Sequence, residues 1–293
     1  MISLGLLRRN LGMDVYMNMH LWNCHLTEEH FPVVEKLKGL GYDGIEFFFG
    51  SPERSYYKAL GDFCKSIDMK VINVCGAGEI SAISPDPEVR KQADTWFKER
   101  IDDAEASGGT NIGGPFHAAV GYFPGHPPTE ENVDHVVEFL QSVGDYAADK
   151  GITLTPEFLN RYEGFLANTM YEAARLLDAV DRKNVSAMYD SYHSNIEEKC
   201  QRQAINDVSR HLTHVHISEN DRGTPGRGQI DFDVVFDALK AVNFDGTIAI
   251  EAFGLNDPGF ATAVKVWRDF SPEEEIITEG IQLVREGIQR VGL

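Results

Sequence analysis

The chain has 293 residues, 42% of them hydrophobic and 25% charged, with Lys+Arg 27 against Asp+Glu 46 and a net charge of −19. That apolar fraction can bury enough surface to offset the entropy of ordering, which excludes a disordered chain. No run of about 18 apolar residues offers a membrane span, and the acidic balance repels phosphate backbones and anionic lipid, so nucleic-acid and membrane partners are set aside. Cys24, Cys64, Cys75 and Cys200 lie far apart with no CxxC pair, the usage expected of reduced thiols in a cytoplasmic protein. Arg8-Arg9 follow a short apolar stretch instead of preceding it, so residues 1–12 read as a short N-terminal extension, not a leader.

From residue 14 onward, β-like runs alternate with amphipathic helical stretches. Strands are expected over 14–20, 45–49, 70–75, 110–113, 152–157, 185–190, 212–217 and 247–251. The expected helices begin with 28–40, then one capped by Ser51 with Pro52 at its first position, then one from Asp86-Pro87-Glu88 to Ser107. Further helices are expected over 129–150, 170–180, 196–210 and 232–242. The last spans 271–293, with Ser271-Pro272-Glu273-Glu274 as a capping-box start and Glu273-Glu274-Glu275 as a solvated first turn. Eight β runs, each followed by helix and with no Pro/Ser-rich linker, imply an α/β chain folded as a single (β/α)8 TIM barrel over residues 1–293.

Four successive strands end in residues able to bind a metal: Glu157, Asp190, His216 and Glu251. Side chains alternate faces along a strand. Thr153, Thr155 and Glu157 therefore share a face opposite Ile152 and Leu154, and Thr247, Ala249 and Glu251 oppose Ile248 and Ile250. His214 and His216 oppose Val215 and Ile217 in the same way, as Ser186, Met188 and Asp190 oppose Val185, Ala187 and Tyr189. The polar set would point into the barrel mouth, where the active sites of such barrels lie. Buried carboxylates are costly unless paired or bound to a cation. Three carboxylates and one imidazole suit one divalent ion of the Mn²⁺, Mg²⁺ or Co²⁺ kind better than a tetrahedral structural zinc.

The segments TPEFLNRYEGF (155–165), YDSYHSNIEE (189–198), HVHISENDRGTPGRG (214–228) and DGTIAIEAF (245–253) carry a resemblance. GYDGIEF (41–47), Gly114-Pro115 and VWRDFS (266–271) extend it weakly along the chain. Together they resemble the D-tagatose 3-epimerase/D-psicose (allulose) 3-epimerase family, a branch of the xylose-isomerase-like barrels. The resemblance implies a metal-dependent carbohydrate epimerase acting on free ketoses, with one divalent ion per subunit, Mn²⁺ foremost, held by Glu157, Asp190, His216 and Glu251. It implies that Glu157 and Glu251 double as the acid–base pair, that Glu163, His193 and Arg222 grip the C1–C3 end of the sugar, and that the chain assembles as a homodimer or homotetramer.

Phe116 stands where many members carry a tryptophan near the sugar, and Phe116, Trp22 and Phe253 are the candidate walls for the distal carbons. His117 is expected at the surface. The glycines at 223, 226 and 228 read as a flexible loop that lets Arg222 approach a ligand, since a lone glycine pattern is weak evidence for phosphate binding. Related enediolate chemistries are the nearest alternatives: aldose–ketose isomerisation, dehydration of a keto-inositol, or C–C cleavage of a keto-glycoside. An abasic-site endonuclease on such a barrel would need more histidines and a basic face, and a non-catalytic sugar-binding subunit would not need an acid–base pair.

Overall fold

A computed structural model describes residues 12–50 and 53–293. Most of the expected N-terminal extension and the Ser51-Pro52 cap lie outside the described residues. Eight parallel strands form one sheet: β1 Val15–Asn18, β2 Gly44–Phe48, β3 Lys70–Val74, β4 Asn111–Gly114, β5 Thr153–Pro156, β6 Ala187–Asp190, β7 Leu212–Ile217 and β8 Thr247–Ile250. The hydrogen-bonded order β5-β4-β3-β2-β1-β8-β7-β6 brings the two end strands together. They meet through two isolated parallel bridges, Leu154 with Val185 and Glu157 with Met188. The result is the expected (β/α)8 barrel, nearly closed, with a thin seam between β5 and β6.

The main helices on the outside are α1 Phe31–Leu40, α2 Arg54–Ser66, α3 Pro87–Ser107, α4 Glu130–Ala148 and α5 Met170–Val180. They continue as α6 Ser191–Glu197, α7 Gln201–Val208, α8 Phe232–Ala241, α9 Pro258–Ala263 and α10 Glu273–Val291. Several starts follow from local side chains. Asp86 accepts from the Glu88 N–H ahead of Pro87 in α3, and Thr129 with Asn132 and Thr169 with Glu172 close reciprocal caps on α4 and α5.

Three expectations are corrected. The run 28–40 splits into a 3₁₀ turn at Glu28–His30 and α1, which carries Pro32 in its first turn. The run 196–210 is two helices. Asp190 caps the backbone N–H groups of Tyr192 and His193, so α6 begins directly after β6. At Glu198 the backbone turns extended, and the carboxylate accepts from the Met170 N–H (2.7 Å), so the helix stops before α7. Ser271 does not cap α10: its hydroxyl accepts from the Thr224 N–H (3.0 Å), and α10 starts after Pro272 without a side-chain cap.

Strand parity separates two interiors. Val15, Met17, Ile45, Phe47, Val215, Ile217, Ile248 and Ile250 join the apolar layer between sheet and helices. Inside the barrel, Tyr16, Ile72 and Ala249 form a small apolar plug. Two residues further along β1 and β8 stand Asn18 and Glu251, so the plug floors a polar chamber at the C-terminal ends of the strands. The plug depends on Gly44 in β2, because a Cβ there would overlap the Tyr16 ring and come within 2.7 Å of the Lys70 carbonyl oxygen. Gly44→Ala is therefore expected to destabilise the fold by about 1–3 kcal/mol through overpacking, read as a lower apparent melting temperature by circular dichroism. An unchanged melting temperature would mean that the plug yields freely.

Candidate active site

Glu157, Asp190, His216 and Glu251 are all buried, and one ligand atom from each falls within 4.8 Å of the others. Asp190 ends β6, His216 lies on β7, and Glu157 and Glu251 directly follow β5 and β8. The two Asp190 oxygens have different tasks. Oδ1 accepts from the Tyr192 and His193 N–H groups (2.6 and 3.2 Å), while Oδ2 lies 3.5 Å from His216 Nδ1 and 3.2 Å from Arg222 Nη1. His216 Nδ1 is also 3.4 Å from Glu251 Oε1 and, among the described residues, has no hydrogen-bond partner of good geometry. A buried imidazole nitrogen facing two carboxylates, with a third beside them, fits a divalent cation held by three oxygens and one nitrogen.

The other face of His216 is held by a residue that the sequence reading passed over. Glu46 of β2 is fully buried, with Oε2 3.0 Å from His216 Nε2 and Oε1 2.7 Å from His214 Nε2. His214 Nδ1 is in turn 2.6 Å from Thr247 Oγ1, and Asn18 Nδ2 donates to Glu46 Oε2 and to Glu251 Oε1 (3.2 and 3.3 Å). With a cation bound, a carboxylate this close to Nε2 would favour the tautomer that leaves the Nδ1 lone pair for the ion.

The electrostatics follow from burial against pairing. Burial alone would raise Asp190 and Glu46, but Arg222 and His216 hold Asp190 well below the usual carboxylate range, and His216 and His214 do the same for Glu46. Glu157 goes the other way: burial raises it, and its contact with His193 only partly offsets that. His216 is raised despite burial, by Glu46 and Glu251.

The three residues expected at the sugar's C1–C3 end border this group. Arg222 donates to Glu251, Asp190 and Ser218 Oγ (2.8 Å for the last), and its guanidinium lies 3.7 Å over the Tyr192 ring and 4.6 Å from the Phe253 ring. Its backbone is left-handed (φ 65°), a conformation costing roughly 1–2 kcal/mol for a residue with a Cβ. It is fixed by the Arg222 N–H to Glu219 O and the Phe253 N–H to Arg222 O, each 2.9 Å. Glu219, also buried, accepts from the N–H groups of Gly226 and Ile230 (2.9 and 3.1 Å), so the loop expected to be flexible is tied down from within.

His193 Nε2 lies 3.4 Å from Glu157 Oε1 and 3.1 Å from Arg222 Nη2. Asn160 Nδ2 sits 2.8 Å from His193 Nδ1 and donates to Glu163 Oε1 at 2.8 Å, linking the two. Phe116 and Trp22 are not part of this group. Phe116 is 1% exposed and stacks on Phe97 of α3 (4.3 Å), and the Trp22 indole donates to Glu273 Oε2 at 2.7 Å. His117 is buried against Phe158 (4.8 Å), not exposed at the surface, and burial lowers it to about 4.

Glu46→Gln keeps the side chain's shape but weakens its hold on His216 Nε2. It should weaken divalent-cation binding about 10–100-fold, as loss of an outer partner of a ligating histidine does. Competition with a fluorescent chelator measures this, and unchanged affinity would show that Glu46 does not orient His216.

Among the described residues no helix is long and apolar enough to cross a membrane. Residues 34–287 match the family model described as xylose isomerase-like TIM barrel. The chain is 31% identical over 250 residues to an L-ribulose 3-epimerase of Methylomonas sp. (strain DH-1), covering 84% of this chain and 87% of that protein. It is 34% identical over 238 residues to a 3-dehydro-D-guloside 4-epimerase of Escherichia coli (strain K12), covering 77% and 89%. The solved structure of a D-allulose 3-epimerase from Methylomonas sp. in complex with D-allulose superposes with a TM-score of 0.87 at 28% identity, over 94% of this chain and 96% of that one. Fold, strand-end residues and these likenesses agree, and the chain belongs to the xylose isomerase-like TIM barrel family.

Proposed function

We propose that this chain is a metal-dependent ketose 3-epimerase. The observation that carries the reading is the gathering of Glu157 and Glu251 with Asp190 and His216 at the strand ends, with Arg222 and His193 in contact with the same carboxylates. Its relatives named as 3-epimerases act on L-ribulose and D-psicose, which supports a free ketohexose or ketopentose as substrate. Glu157, Asp190, His216 and Glu251 would hold one divalent ion, Mn²⁺ first, with Co²⁺ or Mg²⁺ able to replace it. Holding such an ion would give these residues Lewis-acid chemistry at the C2 carbonyl of an open-chain ketose, which would favour loss of the C3 proton.

The residues of the chain do the rest. One glutamate takes the C3 proton, and the C–H electron pair passes into the C2 carbonyl to give an enediolate. The other glutamate delivers a proton to the opposite face of C3, and the carbonyl re-forms. Solvent exchange then resets the two carboxyl groups. In the metal-free site burial raises Glu157 above the usual carboxylate range, and a cation bound beside it would draw it back toward the ionised form that accepts a proton. Arg222 and His193 would hold the oxygens at the C1–C3 end, with Glu163 accepting from a hydroxyl. The single barrel would span residues 1–293, assembled as a homodimer or homotetramer in the cytoplasm.

A second reading has one specific support. The 34% identical relative named as a 3-dehydro-D-guloside 4-epimerase points to inversion next to a ring carbonyl instead of an open-chain one. A ketose panel and a 3-keto-glycoside, each with Mn²⁺ and products resolved by NMR, separate the two by the carbon that inverts.

Removal of divalent ions should abolish turnover and lower the apparent melting temperature, with Mn²⁺ or Co²⁺ restoring both. Full activity of a verified metal-free sample would refute the ion's role. Glu251→Gln, kept metal-loaded, should stop conversion of both epimers while still allowing solvent deuterium into C3 of the one epimer that Glu157 faces. Glu157→Gln should show the mirror pattern. Near wild-type interconversion by either variant sinks the two-base assignment.

A further inference from the structure

His20 follows β1 by two residues, in a single 3₁₀ turn, and its backbone N–H donates to Asn18 Oδ1 (2.9 Å). The side chain is 7% exposed, yet among the described residues neither ring nitrogen has a hydrogen-bond partner. Buried polar groups in folded proteins are nearly always paired, so two orphan nitrogens on one ring require an explanation. The surroundings are aromatic. The imidazole stacks on Phe260 of α9 (4.4 Å between centroids, 13° between planes), meets Phe253 edge-on at 6.1 Å and lies 5.5 Å from Phe48. Phe253 is the ring that faces the Arg222 guanidinium, and Phe48 shares its strand face with Glu46. The ring also feels the charges of Glu251, Glu46 and His216. His20 thus belongs to the chamber above the plug, not to the helix layer.

Burial lowers the His20 pKa to about 4, so at neutral pH the ring is uncharged and offers one N–H donor and one lone-pair acceptor. A sugar hydroxyl is itself both donor and acceptor, and the two match. Position supplies the rest. In a ring of eight strands, β1 and β2 stand across the barrel from β5, which Glu157 and Glu163 follow, and from β6, which His193 follows. A chain gripped near β5–β7 by its first three carbons extends toward β1 and β2.

We propose that His20 is a specificity-determining residue that hydrogen-bonds the hydroxyls of the substrate beyond C3, while Phe48, Phe253 and Phe260 pack against the sugar's carbon chain. This rests on the ketose reading above. The residue would act on sugar length and hydroxyl pattern, and not on proton transfer at C3.

The test compares kcat/KM for a ketohexose, a ketopentose and a ketotetrose in the metal-loaded wild type, His20→Phe and His20→Asn. His20→Phe keeps an aromatic ring to stack but removes both nitrogens. Its ketohexose-to-ketotetrose ratio of kcat/KM should fall at least about tenfold, the loss of roughly one well-made hydrogen bond, with the change in KM. His20→Asn retains a donor and an acceptor and should recover part of the ratio. It also carries the comparison if His20→Phe fails to fold. A wild type that turns over none of the three sugars overturns the ketose reading. A wild type that turns them over while the ratio stays put in the variants, or all three sugars fall together through kcat, overturns the role of His20.

Discussion

Everything at the mouth of this barrel answers to one problem, the burial of negative charge. Glu46, Glu157, Asp190 and Glu251 are each at most 5% exposed, in a space where an isolated carboxylate is strongly disfavoured. The chain answers with Arg222 across Asp190 and Glu251, His193 on Glu157, and His214 and His216 on Glu46. Those partners explain the odd details nearby. Arg222 occupies a left-handed backbone conformation in the loop that presents its guanidinium to these acids, and the buried Glu219 braces that loop.

The pairing is uneven, and the unevenness carries chemistry. Asp190 and Glu46 are held ionised by their neighbours, whereas burial wins at Glu157. Without a cation, burial and pairing thus push two acids of one cluster in opposite directions. Asp190 is the most constrained, since one oxygen starts α6 and the other faces the cluster. Through α6 it also sets the position of His193, so the carboxylate cluster and the histidine beside Glu157 share an origin.

Much of this was legible in the sequence. The period-two alternation along β5, β7 and β8 placed Glu157, His216 and Glu251 on the inner face, because a strand has only two faces and the other was filled with Ile, Leu and Val. Glu46 was equally visible, a lone charge between Ile45 and Phe47, but a single acid in a five-residue strand signals nothing until a histidine pair is known to face it. The split between α6 and α7 and the missing Ser271 cap were beyond local reading, because their causes are distant: Glu198 is taken by Met170, and Ser271 by Thr224. Phe116 shows a different limit. The resemblance put it beside the sugar, while its ring packs against Phe97 of α3, a choice made by tertiary packing.

The seam between β5 and β6 gives the ring a mechanical weak point. Seven neighbouring pairs are joined by laddered strands, and this one by two isolated bridges. Glu157 and Asp190 stand on its two sides. A cation bound by both would bridge the joint where the backbone contributes least, acting as a clasp on the hoop and not only as a passenger in its mouth. The span between those two carboxylates would then be the dimension of the site most responsive to load, and the stiffness of the barrel would be set partly by what it binds.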